Sequence, residues 1–421
     1  MNSLRVRPNG PLHGSVNALG AKNAVLKQMA ACLLATGDHH LLNVPDIADV
    51  AIMGELLGEL GCHVRRSDAT ELTITVPPAE HLRPKAPSHL FAAMRASLVV
   101  LGPLLARCGQ VEMALPGGDD FGQRPINFHI DGLTSMGAVF TNDRHLIRGH
   151  LISGRLRGAR VVLEYPSHTA TDNLLMAAVL ARGRSVIDNA AREPEVEDLA
   201  RMLQAMGARI EGLGTSRLSI EGVSELHACR HEAITDRVVS ATYLVAGLMT
   251  GGSVRVLDAR SDHMEMLLRK FRDMGAEVDL DGDGVQVSGP TRVSPVDVAT
   301  LPYPGVATDY KPLITTVLSV AAGVSVVTEN LFDGRFRYVE ELVKLGANIS
   351  MQGHHAMIRG VDELTGTHVR ASDIRAGAAL TVAGLIAKGE TVIDGLDHID
   401  RGYDDFDGRL RSLGALVERT S

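Results

Sequence analysis

The chain contains no tryptophan, and phenylalanine and tyrosine bring its aromatic content to only 3% of 421 residues. Hydrophobic residues still make up 45%, so sizeable interiors are available, but they must be built from leucine, valine, alanine, isoleucine and methionine. The four cysteines, Cys32, Cys62, Cys108 and Cys229, are widely spaced and follow no metal-ligand pattern. They read as small thiols of a reducing compartment rather than a disulfide framework. No stretch is long and uncharged enough to cross a bilayer, and the arginines of MNSLRVRPNG are not followed by the apolar run of a leader. A soluble cytoplasmic protein is expected. A net charge of −8 argues against broad nucleic-acid binding and leaves room for a local basic pocket. At this length two or three domains are expected.

What the chain has in quantity is glycine, and it recurs in register. Six segments run from Leu or Met through Gly to Ala or Cys and then a short apolar strand: LGCHV, MGAVF, MGARI, MGAEV, LGANI and LGALV. Their glycines, Gly61, Gly137, Gly207, Gly275, Gly346 and Gly414, stand 68 to 76 residues apart. Each follows another glycine that ends an Ala/Leu-rich stretch, namely Gly37, Gly109, Gly183, Gly251, Gly323 and Gly389. A unit therefore reads helix, glycine stop, strand, polar turn, helix, glycine stop, strand, with glycine supplying the left-handed conformation that other residues resist. The period is too long for a common solenoid, so six small α/β units in two domains of three are predicted.

Two further signals bear on chemistry. The loop LPGGDDFGQRP, Leu115–Pro125, has good turn composition but is longer than its strand-like and helix-like neighbours require, which suits a lid. Single cations sit in apolar surroundings: Lys22 in LGAKNAVL, Arg95 in AAMRASLVVLGPL, Arg375 in SDIRAGAAL and Arg401 in HIDRGYDD. Each alone reads as half of a structural ion pair. Recurring in different repeats, they point to one cleft and a multiply charged small anion such as a phosphorylated carboxylate.

Seven segments, GAKNAVLK, MRASLVVLGPL, LPGGDDFGQRP, NAAREPEVEDL, TENLFDGRFRYVEEL, DIRAGAALTVAGL and HIDRGY, resemble the enolpyruvyl transferase family, in family order and over essentially the whole chain. The branch acting on UDP-N-acetylglucosamine is the nearer one. The signatures Gly-Asp-Lys-Ser and Gly-Asn-x-Gly-Thr of the shikimate 3-phosphate branch are missing. The resemblance implies an α/β fold, a two-domain inside-out α/β barrel of six βαβαββ-type repeats. Residues 22–235 would carry the lid loop 115–125, residues 1–21 would join 236–421, and the active site would lie in the cleft between. It implies phosphoenolpyruvate and a uridine nucleotide as substrates, with no cofactor, metal, nucleic acid or membrane. It leaves the oligomeric state open.

The same resemblance assigns roles. Lys22, Arg124 and Arg401 would hold phosphoenolpyruvate, Arg95 and Arg375 would add positive field, and Asn23 would contact the acceptor. Asp309, in ATDYKPL, would act on the acceptor hydroxyl as general base or orienting group. Leu331 and Arg335 would join the acceptor site. The hydroxyl attacks phosphoenolpyruvate as its methylene carbon is protonated, and the resulting ketal loses phosphate and that proton to leave an enol ether.

The chain departs from the family at several places. Asp119, followed by Asp120, replaces the cysteine that most relatives carry in the lid. A carboxyl donates a proton if its pKa is raised, and the adjacent carboxylate pushes that way. Fosfomycin inhibits the family by alkylating that thiol, so resistance is expected. The usual Ser-Val-Gly-Ala-Thr loop at the uridine diphosphate reads Ser167-His168-Thr169-Ala170-Thr171. Pro-Thr-Asp-x-Gln reads Ala307-Thr308-Asp309-Tyr310-Lys311, and an aspartate that reads uracil is Asn127. Two readings follow: drift in an enzyme of peptidoglycan synthesis acting on the 3-hydroxyl of UDP-N-acetylglucosamine, or a changed acceptor such as the ribose hydroxyl of UMP in nucleoside-antibiotic synthesis. In the second, His168 and Lys311 would meet a terminal phosphate. Outside this class, His398, Asp400, Asp404, Asp405 and Asp407 suggest a metal hydrolase but lack ligand spacing and read as a strand end before a solvated helix start. A non-catalytic binding paralogue is disfavoured by Lys22, Arg124, Asp309 and Arg401 occurring together. His39-His40 and His354-His355 read as strand-edge pairs.

Overall fold

A computed structural model describes residues 2–118, 125–143, 146–332 and 334–420. They form six small sheets in two compact units, one of residues 20–118 and 125–234, the other of 2–19 and 235–420. Each unit has its own hydrophobic core and holds three sheets.

The glycine repeat is the structural repeat. In the first, helix Lys22–Cys32 leads to Gly37 and strand Gly37–Leu42; helix Ala48–Glu59 leads to Gly61 and the hairpin His63–Asp68 with Glu71–Val76. All six Gly-Ala-type glycines lie at φ between 95° and 108°. There they follow the last helical residue, and a β-carbon would be strained.

Four sheets follow one plan, in which an edge strand runs parallel to the strand after the first glycine and the hairpin adds two antiparallel strands; a fifth keeps the parallel edge but takes one antiparallel strand from residues 3–7. Strand Arg160–Val162 is such an edge beside Arg184–Asp188, followed by Arg217–Glu221 and Arg209–Glu211. In the second repeat the parallel edge shrinks to the single bridge Lys85–Glu112. Three strands come from outside the repeat they complete. Arg230–Glu232 completes the first sheet beside Gly37–Leu42. His13–Asn17 pairs parallel with Ser253–Leu257, and Ser3–Arg7 lies antiparallel between Thr391–Asp394 and Leu416–Thr420.

The first helix of each repeat is interior. Helices His168–Ala178, Arg237–Thr250 and Ile374–Gly384 are buried almost along their length, and in the second unit Ile374–Gly384 packs on both Arg237–Thr250 and Lys311–Leu318. Their hydroxyl residues are accommodated because Thr242, Thr316, Ser319 and Thr381 donate to carbonyls one turn back. The second helices are outer. Glu265–Asp273 buries only Leu267, Leu268 and Phe271 and carries charge elsewhere. The scarce aromatics are unevenly shared. The core of the second unit contains Tyr243, Phe271, Tyr310, Tyr338, Tyr403 and Phe406, whereas Phe91 is the one aromatic ring fully enclosed among the described core residues of the first.

The thiols are unpaired, with Cys32 and Cys62 buried and Cys62 pushed up to about 12 by burial. Two expectations are corrected. His39 is not an edge residue but wholly buried, bonded through Nε2 to the Ala35 carbonyl at 3.1 Å. The acidic segment opens as a short helix, Leu396–Asp400, and not as a strand end, while Asp405 and Asp407 stand at the start of the next helix, Phe406–Ser412, as expected. Asp400, Asp404 and Asp407 are taken up by Arg419, Arg409 and Arg411. No helix among the described residues is long and apolar enough to cross a membrane.

Candidate active site

In the first unit Lys22 opens the buried helix Lys22–Cys32, and its Nζ lies 3.1 Å from Asp49, a 2% exposed carboxylate in the first turn of helix Ala48–Glu59. Asp49 fixes the ammonium at the helix N-terminus, where the field favours an anion. Sequence reasoning missed Asp49, whose carboxylate is unremarkable in the string DIADV until the fold brings it to Lys22. Asn23 follows, half-buried. Arg95 begins a 3₁₀ turn, donates to the Pro125 carbonyl at 3.3 Å, and burial lowers its pKa. The near side of the loop rests on the same segment. Gly117 N–H donates to Phe91 at 3.2 Å, and a β-carbon at Gly117 would collide with the Ala92 carbonyl. Asp119 and Arg124 lie outside the described residues.

Asn127 is exposed at the start of helix Asn127–Ser135. Ser167 caps helix His168–Ala178 by accepting from Ala170 N–H at 3.4 Å, leaving His168 and Thr169 half-buried in its first turn. Beneath them, His129 is buried and pushed down to about 3 by desolvation, so it is neutral. Its Nδ1 accepts from Asn173 at 3.0 Å, and its Nε2 lies 3.5 Å from the Thr169 hydroxyl. His129 and Asn173 support the loop from behind, and nothing in sequence spacing pointed to them.

In the second unit Asp309 sits on the 3₁₀ turn Thr308–Tyr310 and accepts from Arg335 Nη2 at 2.5 Å. Arg335 Nη1 donates to Thr308 at 3.1 Å, and Thr308 donates to Glu329 at 2.7 Å. Glu329 also accepts from Thr300 at 2.8 Å and from the Leu331 N–H at 2.8 Å. Arg375 is buried at the start of helix Ile374–Gly384, 3.4 Å from the Tyr403 hydroxyl. Burial opposes its charge, but Tyr403, Asp309 and Asp236 outweigh that and raise its pKa. Arg401 caps the C-terminus of Leu396–Asp400 and is half-buried. The structure thus brings Asp309, Arg335, Leu331 and Arg375 together in one unit, and Lys22, Asn23 and Arg95 belong to the other.

Lys311 requires a correction. It was expected to meet an acceptor phosphate, yet its side chain is 0% exposed, 2.8 Å from the equally buried Glu329 and 3.6 Å from the Phe336 ring centroid. Burial brings Lys311 down to about 8 although Glu329 resists, while Glu329, which burial would raise, is held below its usual range by Lys311. Lys311 therefore anchors Glu329, which orders the Thr308–Arg335–Asp309 chain. Breaking a buried pair from one side strands a charge. Lys311→Met is expected to lower unfolding free energy by about 3–5 kcal/mol in urea titration, and Lys311→Met/Glu329→Gln should recover most of that loss. A single-variant loss within experimental error would contradict the assignment.

The EPSP synthase (3-phosphoshikimate 1-carboxyvinyltransferase) family pattern matches residues 6–410. The chain belongs to this family. Within it, the chain is 48% identical over 413 residues to the UDP-N-acetylglucosamine 1-carboxyvinyltransferase of Nocardia farcinica (strain IFM 10152), covering 97% of this chain and 96% of that one. It is 44% identical over 419 residues to the enzyme of the same name from Anaeromyxobacter sp. (strain K), covering 100% and 99%. Among solved structures, the enolpyruvyl transferase NikO from Streptomyces tendae superposes with a TM-score of 0.88 at 23% identity, over 100% of this chain and 99% of that one. An EPSP synthase from Acinetobacter baumannii gives 0.78 at 18%, with both chains fully covered. These two likenesses show the fold, a mixed α/β architecture, and the family pattern with the 44–48% identical relatives bears out the resemblance carried by the seven sequence segments.

Proposed function

We propose that the protein transfers the enolpyruvyl group of phosphoenolpyruvate to the 3-hydroxyl of UDP-N-acetylglucosamine and releases phosphate. The observation that carries this reading is identity of 44–48% over nearly full length to relatives that bear the name of that activity.

The residues suit the chemistry. Lys22, fixed by Asp49, and Arg124 bind phosphoenolpyruvate together with Arg401, and Arg95 and Arg375 deepen the positive field around the phosphate and carboxylate. Asp309 receives the acceptor hydroxyl. With Oδ1 anchored by Arg335, the carboxylate keeps one orientation while the hydroxyl oxygen bonds to C2 of phosphoenolpyruvate and its proton leaves. Asp119 delivers a proton to C3. In the second half the ketal loses phosphate and that C3 proton, and the cations stabilise the departing phosphate.

One observation favours a second reading, transfer to the ribose of UMP: His168, half-buried at the head of its helix, adds a titratable group where relatives carry valine. Lys311, the other support for it, is enclosed with Glu329. A phosphate-release assay with phosphoenolpyruvate and UDP-N-acetylglucosamine, UDP-glucose, UMP, uridine or shikimate 3-phosphate separates the readings. Turnover with the UDP-sugar is expected. Turnover with UMP alone would replace the first reading by the second, and none with any acceptor would favour a binding protein.

A further inference from the structure

Behind the loop Ser167–Thr169 lies a buried charge cluster shared by two helices. Asp172, one turn into helix His168–Ala178, has no solvent exposure, and among the described residues neither carboxyl oxygen has a hydrogen-bond partner at ordinary distance. Its Oδ2 nevertheless lies 3.7 Å from Lys27 Nζ and 3.5 Å from His168 Nε2. Lys27 Nζ stands 3.3 Å from that same nitrogen and donates to the Asn23 carbonyl. Burial pushes Asp172 up to about 7; Lys27 pulls it down, and Glu193 and Glu195 add to the rise. Among the described residues the charged groups around Asp172 include Lys27 from helix Lys22–Cys32, His168 from Asp172's own helix, and Glu193 and Glu195 at the start of helix Pro194–Ala205.

Three groups within contact distance, one of them a carboxyl excluded from water, cannot be charged independently. When Asp172 holds the proton, Lys27 donates to the imidazole nitrogen. When the proton sits on Nε2, ionised Asp172 lies between two cations and offsets their repulsion. The imidazole belongs to the first residue of an eleven-residue helix, where the helix field draws an anion.

We propose that Asp172 is a specificity-determining positioning residue for the acceptor: with Lys27 it holds the His168 imidazole so that a nucleotide phosphate docking at the loop meets an imidazolium. The inference rests on the functional reading above. Where Asp172 is protonated, phosphate binding moves that proton from Oδ2 to His168 Nε2, and Asp172 becomes the counter-ion. Where Asp172 is already ionised, the imidazole takes its proton from solvent. Acceptor binding above neutral pH is therefore coupled to proton uptake, and phosphoenolpyruvate binding is not coupled through this cluster.

Calorimetric titration of the full-length protein with UDP-N-acetylglucosamine and, separately, UMP, in buffers of different ionisation enthalpy from pH 6 to 9, tests this. The wild type is expected to take up a proton at pH 8, with Kd weakening by up to about tenfold per pH unit above the midpoint. In Asp172→Asn the imidazole loses its counter-ion, so the midpoint should fall. His168→Gln should show no uptake through this region and a flat Kd. The same pH profile in all three proteins, or an affinity loss in Asp172→Asn that is uniform with pH, would overturn the proposal. If Asp172→Asn does not fold, His168→Gln decides, since a retained slope there excludes the imidazole. Binding of a nucleotide without proton uptake sinks this inference alone, whereas failure of both nucleotides to bind sinks the functional reading with it.

Discussion

Asp309→Asn is expected to lower kcat for enolpyruvyl transfer by about 10²–10⁴-fold, with much smaller changes in the KM of either substrate. The substitution keeps the side chain's size and an oxygen that can accept from Arg335, now 2.5 Å from Oδ1. It removes the capacity to draw a proton from the acceptor hydroxyl as the C–O bond forms. The split between kcat and KM is informative because Arg335 also reaches Thr308, which reaches Glu329, so the scaffold holding residue 309 stays tied when the charge is lost. An unchanged urea midpoint shows that the loss is chemical. A kcat within tenfold of wild type would reduce Asp309 to a contact that orients the hydroxyl and nothing more.

The second large effect concerns position 119. The wild type is expected to keep full activity through prolonged incubation with fosfomycin and phosphoenolpyruvate-free buffer, whereas Asp119→Cys should lose it completely, with one covalent adduct per chain by mass spectrometry. The contrast follows from nucleophilicity. A thiolate opens an epoxide readily, and a carboxylate is a far poorer nucleophile toward the same carbon. The same substitution tests the proton-donor role, because a cysteine in that place can still deliver a proton and should support turnover before the inhibitor is added. Stoichiometric labelling of Asp119 in the wild type would refute the resistance.

Some of this architecture was readable from residues alone because its cause is local. A chain can leave a helix and enter a strand within two residues only through a backbone conformation that glycine tolerates, so the positive φ of Gly61, Gly137, Gly207, Gly275, Gly346 and Gly414 left a visible mark at each repeat. Other features have no local cause. An isolated lysine after Thr308-Asp309-Tyr310 looks the same whether it faces a phosphate or a buried carboxylate, and only the fold showed that Lys311 faces Glu329. His168 and Asp172 are one helical turn apart and could have been paired from spacing, but Lys27 reaches them from 141 residues away. Asp49 escaped for the same reason. The second unit's use of strand Ser3–Arg7 was expected from the family resemblance, and no periodicity in the chain announces it.

That strand bears on how the protein is made. Residues 20–234 enter and leave their unit at neighbouring points, since Ala21 N–H donates to Ile234 at 2.7 Å, so this segment is an insertion that can close on itself once synthesised. The other unit cannot. Its first strand waits for Leu416–Thr420, and Ser3 meets Thr420 at 2.7 Å across 417 residues of sequence. On the ribosome the inserted unit can fold while the host is still being translated, whereas strand Ser3–Arg7 finds its partners only once Thr391–Asp394 and then Leu416–Thr420 have been made. Synthesis of the inserted unit therefore precedes completion of this host sheet.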